Sequence, residues 1–225
     1  MKKICLSLLC FLLTALAACT SAFPPNTNIP HLTESFEKEV TVSIIDHREF
    51  ILNGDKEPWF EGIIRSGFGI PMSLERPEPY KEQSFAAYLA SLTKGAFEES
   101  GGKVNVVEIP MGTDADTSIN ILSQDKRPAL LGIMRKSRYD LGSAPEYEYD
   151  FRFIVVGKNG RKIVDKTFAN LEIDITPVNN YNIMHNNWNI QYHNLNYMIT
   201  EIYVQILNNV LNDPEIGTAL QELKN

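Results

Sequence analysis

Three groups of residues carry side chains of the types that chemistry needs. Asp46-His47-Arg48-Glu49 sets an acid, an imidazole and a guanidinium in a row at the end of a β-branched run. A general base needs an oriented partner and a substrate-facing cleft, and neighbours along a strand point to opposite faces. Four consecutive residues therefore make no triad by themselves, and a solvated strand end is expected. His185 and His193 lie in an Asn-rich stretch and the start of the helix after it, far in sequence from His31 and His47. A metal centre needs three or four ligands in tight spacing, so neither a metal nor a cofactor is expected. Gly62-Ile63-Ile64-Arg65-Ser66-Gly67-Phe68-Gly69 is dense in glycine. It matches neither G-x-G-x-x-G nor a phosphate loop ending in Gly-Lys-Ser/Thr, and the chain has no G-x-S-x-G elbow. The expectation is a protein that is not an enzyme. A hydrolase using His47 with a nearby acid is the catalytic alternative.

Aromatic residues supply a different chemistry, that of contact. Trp59, Phe60 and Phe68 fall in or beside the glycine-dense segment, and Tyr181 and Trp188 in the Asn-rich one. Large rings on irregular segments are the side chains that anchor protein interfaces. These five are the candidate partner contacts. Tyr147, Tyr149, Phe151 and Phe153 form a stripe at every second position. A sheet face covered by helices and a ligand-binding face share that pattern, and core packing is the expected reading.

Cysteine carries a further chemistry. The chain's three cysteines are Cys5, Cys10 and Cys19, so nothing after Cys19 can form an internal disulfide, a thiolate metal site or a Cys nucleophile. Met1-Lys2-Lys3 is a short basic start, Ile4 to Leu13 is apolar but for Ser7, and Leu16-Ala17-Ala18-Cys19 follows. A charged start, an apolar run of about 7–15 residues and small residues at the cut describe a secretory leader, too short for the ~20 residues of a membrane span. Leu16-Ala17-Ala18-Cys19 resembles the lipobox of bacterial lipoproteins. The resemblance implies cleavage before Cys19 and a lipid on its thiol, which would tie the protein to a membrane. Thr20 rather than Asp follows, and in enteric lipoproteins this implies the outer membrane, with the domain facing the periplasm.

The elements that would position these residues are read from periodicity. Ser21 to Pro30 holds Pro24, Pro25 and Pro30 among several Asn and reads as part of a tether. The expected organisation is a leader over 1–18, a lipid-anchored tether over 19–36 and one domain over 37–225. Val40 to Ile45 is a first strand, and Asp46 to Pro79 a long irregular connection of the kind that often carries function. Phe85, Tyr88, Leu89, Leu92 and Ala96 fall on one face of a helix over Gln83 to Glu99, which Ser100-Gly101-Gly102 ends. Strands follow at Val104 to Ile109 and Ala129 to Tyr139, with a short helix over Asp114 to Gln124 between them. Glu146 to Val156 alternates strictly and turns at Lys158-Asn159-Gly160-Arg161 into a partner over Ile163 to Ile175. A long helix, Gln191 to Asn212, comes last but for a short one after Asp213-Pro214. The fold class expected is α+β: two layers, with a mixed or mainly antiparallel sheet packed by one N-terminal and one C-terminal helix.

Charge removes whole classes of partner. The formal charge of −7 becomes −9 once a leader bearing Lys2 and Lys3 is cut, which argues against nucleic acid and against electrostatic attraction to anionic headgroups. The segments Phe50 to Lys56, Phe60-Glu61-Gly62, Gly67 to Pro71 and Leu211 to Pro214 resemble a pattern in uncharacterised proteobacterial lipoproteins. That resemblance implies an envelope protein without an assigned activity. The leading expectation is a lipid-anchored docking or accessory subunit of an envelope assembly, held to the membrane through Cys19 and bound to an envelope protein. A periplasmic carrier of lipid or a small ligand is the second.

Overall fold

The computed structural model describes residues 29–65, 68–73, 76, 80–141, 146–169 and 188–223, with backbone alone for 146 and 188–198. Among these, seven strands form one mixed sheet and five helices pack around it. Strand β1 (Glu39–Asp46) lies parallel to both β4 (Lys103–Val106) and β5 (Ala129–Leu141). On its other edge β5 pairs antiparallel with β6 (Glu146–Val156), which pairs with β7 (Lys162–Ala169). At thirteen residues β5 outruns β1, and the vacated edge takes β2 (Gly62–Arg65), parallel at Tyr139 to Leu141. The short β3 (Pro71–Ser73) returns antiparallel along β2.

The connection from Asp46 to Pro79 therefore holds regular structure where an irregular loop was expected: helix α1 (Glu49–Leu52), β2 and β3. Gly62 explains the difference. Glycine at a strand start reads as a turn signal, but here it permits a close approach. A Cβ at Gly62 would collide with the Tyr139 carbonyl oxygen and stand 2.6 Å from its ring carbons.

Helix α2 (Phe85–Glu99) starts where Ser84 accepts the Ala87 amide. It runs back along β1 and β4, so its N-terminus lies at the end toward which the parallel strands point. Helix α3 (Ala115–Ser123) is capped by Asp114, and α5 (Pro214–Glu222) by Asp213, with Pro214 in its first turn. The long helix α4 (Trp188–Leu211) precedes α5. None of the described helices is long and apolar enough to cross a membrane.

Alternation along β5 sets the two faces of the sheet. Leu130 and Met134 enter a large core with the buried sides of α2, α4 and α5, while Ala129, Leu131 and Ile133 enter a smaller core with Ile119 and Leu122 of α3. Helices α2, α4 and α5 thus pack into the large core, and α3 into the smaller one. The aromatic stripe of β6 belongs to the large core. Tyr149, Phe151 and Phe153 are buried, and successive rings from Tyr147 to Phe168 lie 5.7 to 6.4 Å apart. Beside the stripe, Asp150 and Arg152 are paired with neighbouring strands. Arg135 donates to Asp150 at 2.6 Å, and Arg152 binds Asp165 with two hydrogen bonds. The Arg152 hydrogen bond holds the Asp165 carboxyl below its ordinary range.

Residues 29–36 pack against the domain. Within 29–36, Pro30 and Phe36 are buried. The Phe36 amide donates to the Ser100 carbonyl, and its ring meets Phe97 edge-on at 4.8 Å. Pro30 belongs to a segment packed on α2 and the end of α4. Leu171, Ile173 and Ile175, expected to extend β7, lie outside the described residues.

Candidate functional site

The chemistry-bearing residues converge at one end of the sheet, where β1 stops and β2 takes its place on β5. Two buried ion pairs hold that junction. Asp46, expected at a solvated strand end, is 4% exposed, and Arg48 is fully buried. The Arg48 guanidinium binds Asp46 through Nη2 at 2.7 Å and Nε at 3.0 Å, and donates from Nη1 to the Phe60 carbonyl at 2.6 Å. It lies between the rings of Phe50 and Phe85, 5.2 and 5.1 Å from their centroids. Burial is bearable because nearly every donor of the planar fork finds an oxygen. A register shift in β5 between Met134 and Lys136 bends the strand there and brings the Ser137 carbonyl toward Arg48.

The second pair is Glu61 and Arg76, 2.6 Å apart with side chains 5% and 7% exposed. Tyr203 of α4 donates its hydroxyl to Glu61 at 2.5 Å, and Arg76 donates to the Gln83 carbonyl at 2.6 Å. The Arg76 guanidinium stands 5.0 Å over the Tyr88 ring. Burial pushes the Glu61 carboxyl above its ordinary value, against the pull of Arg76, the Tyr203 hydrogen bond and Arg48. Burial likewise lifts the Tyr203 phenol well above the usual tyrosine value, and Tyr88 to about 12. Both phenols stay protonated at neutral pH; Tyr203 donates to Glu61, and Tyr88 shares a 3.0 Å hydrogen bond with Thr200.

His47 takes a structural post beside this junction. Its Nε2 donates to the Thr113 carbonyl at 2.8 Å, and the Gly112 amide donates to the Asp46 carbonyl at 3.1 Å. The loop after β4 is thereby fastened to the end of β1. Asp46 is committed to Arg48, so His47 and Asp46 do not form the acid–base couple that a hydrolase would require. Among the described residues no cluster of three or more His, Cys, Asp or Glu could hold a metal.

Above the ion pairs the same end of the molecule turns apolar. Leu52 is 45% exposed, Trp59 36%, Phe68 94%, Ile70 60%, Tyr80 38% and Met111 48%. They come from α1, the connection from α1 to β2, the β2–β3 connection, the approach to α2 and the loop after β4, all at the end toward which β1 and β4 point. Trp59 and Phe68 thus stand at the surface, as contact residues must. Phe60 does not: it is 6% exposed, meets Phe50 edge-on at 5.7 Å, and carries the Lys56 ammonium over its ring. It is buried together with its neighbours Glu61 and Gly62, where the chain turns into β2. Cys19 and Tyr181 lie outside the described residues, as does the side chain of Trp188, which opens α4. Reasoning from sequence missed Leu52, Ile70, Tyr80 and Met111, whose exposure depends on which face each loop turns outward. It also missed the Glu61–Arg76 pair, since nothing in the spacing of fifteen residues signals a contact.

No family model matches the chain, and no curated protein matches it. Among solved structures, the chain is similar to a DUF330-family protein from Xanthomonas campestris, with a TM-score of 0.44 and 12% identity over 88% of this chain and 95% of that one. It is also similar to two structures of a PelC dodecamer from Paraburkholderia phytofirmans. One has a TM-score of 0.34 and 14% identity over 80% of this chain and 90% of that one. The other has a TM-score of 0.36 and 12% identity over 80% and 91%.

Proposed function

We propose that this chain is a lipid-anchored, non-catalytic protein of the cell envelope that docks onto an envelope component through the apolar end of its sheet. The observation that carries the reading is the gathering of Leu52, Trp59, Phe68, Ile70, Tyr80 and Met111 at one end of the molecule. Scattered exposed apolar residues need no explanation, whereas several large ones at one end mark an interaction surface. The ion pairs beneath support docking over catalysis. Arg48 and Arg76 each face a carboxylate and donate to backbone carbonyls of the segments that carry the apolar side chains, which fixes those segments. Acylation of Cys19 would hold this surface beside a membrane, with the outer membrane and the periplasm as the proposed address.

In-cell photocrosslinking tests the reading. A photoreactive residue at position 59 or 68 is expected to capture a defined envelope component, while one at position 126, on the opposite end, captures none. Capture from position 126 alone, or from no position, contradicts it.

A further inference from the structure

We infer that the apolar end rests on the lipid surface to which Cys19 is anchored, with Trp59, Phe68 and Ile70 at the bilayer interface. The inference rests on the docking reading above and names the occupant of that surface. Two features distinguish a membrane from a protein partner, and the first is the path of the chain toward its anchor. The Thr33 amide donates to Asn212, and the His31 amide to Asn208, one helical turn nearer the start of α4. His31 also meets Glu99 on α2, and Ile29 packs against Gly95, a turn nearer the start of α2. Followed backward, the chain climbs toward the N-terminus of α2, beside Tyr80 and the rest of the apolar end. From Ile29 to Cys19 is ten residues, which span at most about 33–36 Å. From Gly95 to Phe85 is ten residues of helix, or about 15 Å. The lipid and the apolar end can therefore meet one bilayer with the short tether unstrained.

The second feature is the contrast between the two ends of the molecule. The opposite end presents Glu37, Glu39, Lys103, Lys126 and Arg127, all exposed, and cannot enter an apolar interface. The apolar end carries exposed charges too, among them Asp55, Lys56, Glu57, Lys81 and Glu82. Among the described residues, however, it alone adds exposed tryptophan, tyrosine and large aliphatic side chains, and rings mixed with charged groups settle at the level of lipid headgroups. The acidic balance of the chain makes this an apolar contact and not a headgroup-charge contact. Acyl chains on Cys19 and a seated apolar end act as two signals on one surface, which hold a protein more stably than either alone.

The test uses the full-length acylated protein in vesicles of phosphatidylethanolamine and phosphatidylglycerol. Trp188→Phe leaves Trp59 as the one tryptophan of two. Its emission is expected to shift to shorter wavelength on reconstitution and to lose intensity when the lipids are brominated near the headgroup. A Trp59 that keeps its emission and is quenched by acrylamide as in free solution overturns the inference. A second readout guards against a local effect of the substitution: a polarity-sensitive dye on Phe68→Cys should report an apolar setting, and the same dye on Lys126→Cys water. The mass of the purified protein separates the two failures. An unacylated Cys19 removes the anchor and overturns the inference together with its parent reading. An acylated protein with a wet Trp59 and a protein captured from position 68 keeps the docking reading and overturns the lipid surface.

Discussion

Arg48→Ala is expected to destabilise the domain by about 3–5 kcal/mol, because it leaves the Asp46 carboxylate buried without its partner. The cost exceeds that of an ordinary surface ion pair, which is worth about 0–1 kcal/mol, since neither side chain reaches water. Arg48 also fastens the end of the α1 connection. Without it the carbonyl of Phe60 loses a 2.6 Å donor, and the rings of Phe50 and Phe85 lose the plane between them. Replacing both partners, Asp46→Asn with Arg48→Met, should cost much less than the single change, because no charge is stranded. Urea unfolding of the two variants checks the claim. Equal costs would mean that Arg48 acts through its packed stem and not through Asp46.

Arg76→Ala should be as severe at neutral pH and milder in acid. Glu61 is fully buried and its carboxyl is already raised by desolvation, and the Arg76 charge opposes that rise more strongly than the Tyr203 hydrogen bond or Arg48 does. Removing Arg76 takes away that opposition, so ionised Glu61 becomes more expensive. The sign follows from linkage: a carboxyl raised in the folded state favours folding below its unfolded value and loses that contribution as pH rises through the folded value. The loss for Arg76→Ala should reach about 3–5 kcal/mol near pH 7 and shrink as pH falls and Glu61 takes a proton. Urea unfolding across that pH range measures it. A destabilisation independent of pH would show that Arg76 serves by stacking on Tyr88 and not by charge. Neither variant should move the exposed residues into new chemistry; both should loosen the loops that carry Trp59 and Tyr80. Arg76 donates to the carbonyls of Trp59 and Gln83 in those two loops.

Strong period-two and helical patterns were legible without coordinates. The strand over Glu146–Val156 follows from alternation, and the helix over Phe85–Glu99 from its apolar spacing and a terminal Gly-Gly, its start at Ser84 lying one residue past the expected Gln83. What escaped has a common physical cause, dependence on partners distant in the chain. Strand β2 has four residues and starts with glycine, so only its pairing with the far end of β5 makes it a strand. Asp46 and Arg48 look hydrophilic in sequence, and become core because each neutralises the other beneath Phe85. Phe60 and Phe68 carry the same ring eight positions apart, yet one is buried and one exposed. The difference lies in the turn into β2 and not in composition. Residues 29–36 read as tether because they continue the proline- and asparagine-rich stretch before them, while Asn208 and Asn212, which bind them, lie about 180 residues away.

Hydrogen–deuterium exchange of the full-length protein, in native membranes and after detergent extraction, bears most directly on docking through the apolar end. The expected result is added protection in membranes confined to the segments around 49–65, 68–73, 80–84 and 110–113. The turn at 157–161 and the segment at 124–128 should exchange alike in both settings. Protection that falls on the opposite end, or on neither, would contradict the assignment of this surface.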